Sequence, residues 1–553
     1  MHRNKWINVL LLVCILDQAV TAKRYKRNIV KALTHLGPDG NKTLGNYVDF
    51  STVLGLDYGN PKPKIRKSYD FIVVGAGPAG CSVANHLSEN PSITVLLLEL
   101  GKSEISIAQD VPATNFFQIS TDYNFGYVTE PQTGACLGMK DRRCAWHHGR
   151  GLGGSTLINN MIYTRGNWRD YDSWNASGNI GWSYDDVLPY FIRAERANLR
   201  DFEDDGFHGK DGYLSVEDIA FRTRLASTFV KSAQESGMRY IDFNRAFGSA
   251  KLLMLSGIGP EGHLKDLGIE VIHTLPVGET LYDHPGAIGP VFTVSTPIDN
   301  LYNFDSVITV PNFIQYLFGR GVFTSSFTES LAYVKSPVSQ YPDPDWPDVE
   351  LIQAAGEVGD DASPGLQNYF RITDEIMNAY FRPLYEKRAF MYLPLLMHPR
   401  TKGSLRLRST NPYDHPIFDY NYFEDDRDLQ SLVYGIKEAI KITSQKPFTD
   451  IGVELYSAKV PGCEEFEFNS DGYWRCHVQV LTTTYYHYVA TCKMGPATDP
   501  SSVVDPRLRV HGIRQLRVVD IGIIPKPPSA HTAAIAYMIG DKGADMIKED
   551  NNL

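Results

Sequence analysis

The chain has 553 residues, with 54 lysines and arginines against 64 aspartates and glutamates and a formal net charge of -10. Hydrophobic residues make up 43% and aromatic residues 12%. That composition excludes a disordered or fibrous chain and supplies a sizeable core, and the charge has the wrong sign for a nucleic-acid binder.

In chain order, the basic start Met1-His2-Arg3-Asn4-Lys5 precedes an apolar run from Ile7 to Leu16 and then Ala19-Val20-Thr21-Ala22. The pattern predicts a secretory signal peptide over residues 1–22, with an apolar run too short for a stable membrane span. An uncleaved anchor is the alternative. Residues 23–66 read as a Gly- and Pro-punctuated arm. Apart from Cys14, two cysteine pairs lie close in sequence, Cys136 with Cys144 and Cys463 with Cys476. In an exported chain both are expected to be disulfides. Cys81 and Cys492 fall in segments read as buried and are expected to be free thiols. Zinc ligation by Cys136, Cys144, His147 and His148 is the competing reading, at a spacing no standard zinc site uses. Asn41-Lys42-Thr43 and Asn175-Ala176-Ser177 are glycosylation sequons.

Tyr69 to Val74 and Ile93 to Leu98 are near-continuous apolar runs, which predict parallel strands covered on both faces. Between them Gly80, Val83, Ala84 and Leu87 share one helical face, completing a β-α-β unit. Gly75-Ala76-Gly77-Pro78-Ala79-Gly80 sits where the strand becomes the helix. Gly75 permits the tight turn, Gly77 lets a pyrophosphate approach the backbone, and Gly80 lets helix and strand pack closely. Glu99 closes the second strand, where a carboxylate can accept from a ribose diol. This fingerprint serves NAD and FAD alike. A second glycine cluster, His148-Gly149-Arg150-Gly151-Leu152-Gly153-Gly154-Ser155-Thr156-Leu157-Ile158-Asn159, is either a flexible loop or a backbone lining for another part of a long cofactor. From about Gly286 to Phe390 proline and aromatic residues replace the β-α-β signal and suggest a separate, antiparallel substrate domain. Leu516 to Val519 reads as an apolar strand and Thr532 to Ile547 as a helix, a return that would complete the first domain.

Taken together, Tyr69 to Gly101, Gly149 to Asn159, Met161 to Tyr171, Gly178 to Phe191, Leu252 to Pro260, Leu275 to His284 and His487 through Ile547 resemble the glucose-methanol-choline (GMC) oxidoreductase family. Thr401 to Leu407 and Asn411 to Pro416 resemble its insect glucose-dehydrogenase-like branch. The resemblance implies an α/β fold: a doubly wound, Rossmann-like FAD-binding domain, and an α+β substrate domain on a mostly antiparallel sheet. The division read from it assigns residues 67–180, 245–290 and 485–550 to FAD, and 181–244 and 291–484 to substrate.

The resemblance also implies site residues. His487, in Tyr485-Tyr486-His487-Tyr488, matches the family's active-site histidine, and His531 its second position. Gly75, Gly77, Gly80, Glu99, Gly153, Gly154, Thr156, Asn159 and Asp520 fall at cofactor positions. Oxidising an alcohol by hydride transfer to flavin N5 requires loss of the hydroxyl proton, a task suited to an imidazole. His487 is therefore expected as base and His531 as the group that orients the hydroxyl. The final helix, starting near Thr532, would offer its positive end to reduced flavin. Of Tyr485, Tyr486 and Tyr488, at least two are expected to pack.

One departure is an absence. Asp242-Phe243-Asn244 resembles the end of one family segment and Ala246 to Leu252 the start of a much later one, with Arg245 alone between them. Several tens of residues that the family has there, including a strand whose backbone meets the adenine and a strand entering the Gly-Ala turn before the Ser-Gly-Ile-Gly segment, have no counterpart. Three readings follow: a splice variant or incomplete gene model of an active enzyme, a chain with impaired catalysis, or compensation by a neighbouring loop. Three functions are weighed: a secreted FAD-dependent dehydrogenase acting on a small alcohol or sugar with a quinone-type acceptor, a secreted non-catalytic binding protein, which the missing segment motivates, and an oxidase of the same family.

Overall fold

The computed structural model describes residues 65–102, 107–199, 206–238, 250–296, 309–355, 363–385 and 387–553. The signal peptide with Cys14, the arm up to residue 64, the Asn41 sequon and the Asn244–Arg245 junction lie outside these residues. Strand β1 (Phe71–Val74) runs into helix α1 (Pro78–Ser88) and out through β2 (Val95–Leu98). The strands pair in parallel, Phe71 opposite Val95 through Val74 opposite Leu98. Val83 and Leu87, one turn apart on α1, pack on Phe71, Val73 and Val95, as their spacing predicts. Helices α2 (Trp168–Ala176) and α3 (Tyr184–Ala194) follow, each opened by a capping box, Asn167 with Asp170 and Ser183 with Asp186.

The second layer is a seven-stranded antiparallel sheet. Its strands are β3 (Pro285–Ala287), β4 (Val291–Val294), β5 (Thr328–Val334), β6 (Val349–Ala354), β7 (Ala389–Leu396), β8 (Val453–Leu455) and β9 (Thr482–Thr484). The main path is β5-β6-β7-β4-β8, and β3 joins β7 to β9. All eight residues of β7 are buried, so it is the centre of the core. Helix α4 (Asp426–Thr443) packs on β6 and β7. Helix α5 (Asp471–Val480) is stapled by the Cys463–Cys476 disulfide. Cys136 and Cys144 form the other bond, and Cys81 and Cys492 are free. Because each sulfur of the first pair is bonded to the other, the zinc reading of that cluster is withdrawn.

The chain then returns to the first layer. Helix α6 (Ala533–Asp550), capped at Thr532, lies along α1. Gly540 makes this approach possible, since a methyl there would stand 2.5 Å from the Ala79 carbonyl oxygen. A buried ion cluster fastens the helices. Asp541 of α6 meets His86 Nε2 of α1 at 2.9 Å and Arg193 Nε of α3 at 2.9 Å, while His86 Nδ1 meets Glu89 at 2.8 Å. Among the described residues no helix is long and apolar enough to cross a membrane.

Two sequence expectations are corrected. The β1-β2 pair is covered on one face only. Phe71 and Val73 turn toward α1, but Ile72, Val74, Leu98 and Leu100 are 60%, 53%, 44% and 58% exposed. Leu516 to Val519 is not a strand. Its sole ladder contact among the described residues is an isolated bridge between Arg517 and Arg509, although Val519 packs on the same apolar cluster as β1. Both findings have one physical origin: an apolar strand is held by a laddered neighbour and a covering layer, and the described residues provide neither on this side.

The ion cluster yields a pH prediction. The Asp541 hydrogen bond raises the His86 pKa, burial opposes the shift, and Glu89 adds to it. A raised native pKa contributes stability that is complete below the unfolded value of about 6.5 and is lost as pH rises through the native value. The unfolding free-energy difference between wild type and His86→Gln, measured by chemical denaturation, should be largest near pH 6 and shrink at higher pH. A difference independent of pH would refute this role.

Candidate active site

The two glycine segments face each other. Gly75 has φ +99°, and α1 begins at Gly77 with no side-chain cap on its amide groups. Gly153 and Gly154, at φ +116° and +60°, bring the second segment against the first. The Gly153 N–H donates to the Ala76 carbonyl at 2.8 Å, and a methyl on Gly154 would stand 2.8 Å from the Gly77 Cα. A methyl on Gly80 would collide with the Gly75 carbonyl oxygen at 1.9 Å, which accounts for that glycine. A methyl on Gly77 would meet nothing within 4 Å. An uncapped helix N-terminus opening on space that a Cβ would fill fits the pyrophosphate of a dinucleotide. The residues present therefore match FAD at that end.

The other cofactor candidates mostly shape these loops. Glu99 accepts from the Ala76 N–H at 2.9 Å and the Gly101 N–H at 2.8 Å, clamping the first turn. Thr156 Oγ1 donates to the Gly153 carbonyl, and Asn159 Oδ1 accepts from the Met161 N–H. Asp520 caps the turn Ile521–Ile523 through the Gly522 N–H. That turn is laced to the segment after His487 by the Cys492 and Met494 amides, both at 2.8 Å.

The histidines converge from different parts of the chain. His487 follows β9 and His531 precedes α6, yet their rings lie 5.2 Å apart, edge to face, and both are buried. Each is held by residues that sequence reasoning missed. The His487 N–H donates to Asp283 Oδ1 at 3.2 Å, and its Nδ1 lies 3.1 Å from His284 Nδ1, so one of these two nitrogens donates and the other accepts. Asp283 also accepts from Tyr422 at 2.6 Å, and Tyr422 accepts from Trp146 Nε1 at 3.0 Å. Burial pushes the Asp283 pKa up, and hydrogen bonds from Thr484, Tyr422 and the His487 amide act against it. His531 Nε2 lies 3.1 Å from Glu350 Oε1 on β6, and Tyr333 donates to the same oxygen at 2.9 Å. The Asp-His dipeptide at 283–284 and the isolated Glu350 carry no spacing signal; only β3 and β6 bring them here.

The tyrosines all pack. Tyr488 stacks on Trp146 at 3.8 Å, Tyr486 rests on His147, and Tyr485 lies over Gly286. Burial holds all three phenols protonated, their pKa values well above the usual. The backbone is strained on both sides of His487, with Tyr486 at φ +63° and Ala490 at φ +71°. Such left-handed conformations cluster at active sites.

A dinucleotide cradle in a β-α-β unit, joined to an antiparallel sheet and a buried pair of histidines, is the arrangement of a dinucleotide-dependent oxidoreductase. The GMC oxidoreductase family models match residues 69–247 and 399–540. Glucose dehydrogenase [FAD, quinone] of Drosophila pseudoobscura pseudoobscura is 32% identical over 566 aligned positions, covering 87% of each chain. Alcohol dehydrogenase [acceptor] of Pseudomonas putida is 29% identical and covers 87% of this chain and 95% of that protein. Among solved structures, pyridoxine 4-oxidase from Mesorbium loti superimposes with a TM-score of 0.70 at 22% identity, covering 87% of this chain and 99% of that one. Formate oxidase matches with a TM-score of 0.71 at 21% identity, covering 88% and 98%. The chain belongs to the GMC oxidoreductase family, whose cofactor is FAD, and it is an FAD-dependent oxidoreductase acting on CH–OH donors. The resemblance to the insect glucose-dehydrogenase-like branch is borne out.

The same comparison bears on the absent segment. The Drosophila alignment runs over 566 positions while taking in 87% of a 553-residue chain, so several tens of its positions have no counterpart here. The N-terminal family match stops at residue 247, beside Arg245.

Gly77→Ala separates fold from cofactor. It should leave the stability of the apoprotein within about 0.5 kcal/mol of wild type while lowering FAD occupancy, read by flavin absorbance after reconstitution. Equal occupancy would remove Gly77 from the cofactor path. Ala490→Gly should relieve left-handed strain and raise unfolding free energy by up to about 1 kcal/mol, measured by denaturant titration. A loss of stability would show that the buried methyl contributes more than the strain costs.

Proposed function

We propose that this chain is a secreted FAD-dependent dehydrogenase that oxidises the hydroxyl of a small alcohol or sugar and passes electrons to a quinone-type acceptor. The observation that carries the reading is the convergence of His487 and His531, 5.2 Å apart and held from opposite sides by Asp283 with His284 and by Glu350. Bound FAD supplies the two-electron acceptor for the hydride leaving the substrate carbon. His487 takes the hydroxyl proton. With its Nδ1 engaged by His284, its Nε2 is the atom assigned to that proton. His531, steadied on Glu350, orients the hydroxyl. The glycine loops hold the pyrophosphate, Glu99 reaches the ribose and Asp520 contacts the cofactor near the catalytic segment. In this division the β1-α1-β2 unit with α6 binds the cofactor, and the antiparallel sheet presents the substrate.

Support for substrate class and acceptor comes from the relatives, whose names include glucose dehydrogenase [FAD, quinone] and alcohol dehydrogenase [acceptor]. The leader sequence and the two disulfides support export. A second reading, a secreted binding protein without turnover, is favoured by the uncovered β1-β2 face, because it adjoins the nucleotide end of the cofactor path.

Purified full-length chain reconstituted with FAD should be yellow and bleach under anaerobic conditions when an alcohol or sugar is added. His487→Ala should keep the flavin and slow its reduction by at least about 100-fold. Failure to retain flavin after reconstitution would favour the binding protein, and undiminished reduction in the variant would displace His487 as base.

A further inference from the structure

Asp170 lies outside the cofactor cradle and the histidine pair, yet more of the site's framework hangs on it than on any glycine. It is the third residue of α2, and its side chain is 1% exposed. Five donors converge on its two oxygens. Oδ2 accepts from the Asn167 N–H at 3.1 Å, the Ser529 N–H at 2.8 Å and Ser529 Oγ at 2.7 Å. Oδ1 accepts from Trp346 Nε1 at 2.9 Å and His398 Nε2 at 3.0 Å. The first contact is an ordinary capping box. The other four are not needed to start a helix, and they reach three distant parts of the chain.

Two of those parts carry the active-site pair. Ser529 stands two residues before His531, and Trp346 four residues before Glu350, at the entry to β6. His531 and Glu350 are the partners that meet at 3.1 Å. The carboxylate of Asp170 thus sets the loop bearing one against the strand bearing the other. Neighbouring residues reinforce the joint. The His531 N–H donates to Thr164 Oγ1 at 2.8 Å. Gly166, at φ +85°, leaves room for Ala530, whose Cβ a methyl there would approach to 2.8 Å. Trp346 is itself immobilised by stacking on Tyr341 at 3.7 Å, and His398 packs edge-on to both rings.

We propose that Asp170 is a positioning residue for the oxidation: it acts through His531 by fixing the His531 loop against the Glu350 strand. This rests on the reading of His531 as a site residue. An amide in its place presents N–H to at least one of the donors that now converge there, so Asp170→Asn keeps the shape and breaks the joint.

The test is a double-mutant cycle in the FAD-loaded full-length protein, read by the anaerobic rate of flavin reduction. Asp170→Asn should slow reduction by about 100-fold, the cost of a small misplacement, with flavin absorbance retained. In a His531→Ala background the same substitution should change the rate by no more than about twofold. Equal losses in both backgrounds would overturn the proposal. Asn167→Ala removes the helix cap together with the Asn167 Nδ2 bond to the Asp345 carbonyl, whereas Asn167→Ser keeps a capping oxygen and loses only that bond; both should leave the rate within about twofold of wild type, and if Asn167→Ala slows reduction as Asp170→Asn does while Asn167→Ser does not, helix capping is the cause and the proposal falls. Hydrogen exchange supplies a readout free of turnover. Asp170→Asn should speed exchange in the peptide containing Ser529 to Thr532 and leave the interior amides of α2 protected, and the reverse pattern would refute the tether. Should wild-type flavin resist reduction by alcohols and sugars, the functional reading fails, while exchange still decides whether Asp170 holds the histidine loop.

Discussion

The contact between two glycines, Gly77 and Gly154, is the constraint on which the cofactor site depends. A side chain on Gly154 would hold the loops apart, since a methyl there comes within 2.8 Å of the Gly77 Cα. Their closeness lets the Gly153 amide reach the Ala76 carbonyl, leaving the α1 amides to face open space. A bare helix N-terminus attracts an anion by its unsatisfied amides and its dipole together. The packing of α6 on α1 then brings the His531 loop to the same region, because His531 lies one residue before the Thr532 cap.

Around the histidines the protein uses polar burial rather than apolar shape. Asp283, Glu350 and Asp170 are all buried, and each joins segments far apart in sequence. A buried carboxylate is costly unless its oxygens are occupied; both oxygens of Asp283 and of Asp170 accept hydrogen bonds, whereas Glu350 engages its partners through Oε1 alone. The positive φ values at Tyr486 and Ala490 belong to the same design. Strain of that kind persists only where surrounding contacts overdetermine the backbone, and the stack of Tyr488 on Trp146 with the Asp283 bond to His487 supplies such contacts.

How much of this could be read beforehand depended on the range of the interaction. The β-α-β unit, its glycines and the final helix rest on local periodicity and turn chemistry, and β1, α1, β2 and α6 lie where the pattern put them. Both disulfides join cysteines close in sequence and were legible for that reason. Asp283, His284, Glu350 and Asp170 were not legible as site residues, although three of them lie in stretches that resemble the family, because a lone acid or histidine gains its role only from partners about a hundred or more residues away. Leu516 to Val519 failed differently. Its composition is that of a strand, but strand formation is a property of the pair, and Val519 packs toward β1 without a ladder between them.

That last point bears on what the absent segment costs. The residues of the proposed site come from both sides of the Asn244–Arg245 junction: the glycine loops and Asp170 before it, His284, Glu350, His487 and His531 after it. Their mutual contacts are made by described residues. The exposed Ile72, Val74, Leu98 and Leu100 lie on the strand pair that carries the glycine turn proposed to hold the nucleotide. A ligand that binds only the folded state stabilises it in proportion to the logarithm of its concentration over its dissociation constant. On the proposed reading, weaker adenosine contacts would lower cofactor occupancy and, through it, stability, while the contacts of His487 and His531 with Asp283, His284 and Glu350 would stay as they are.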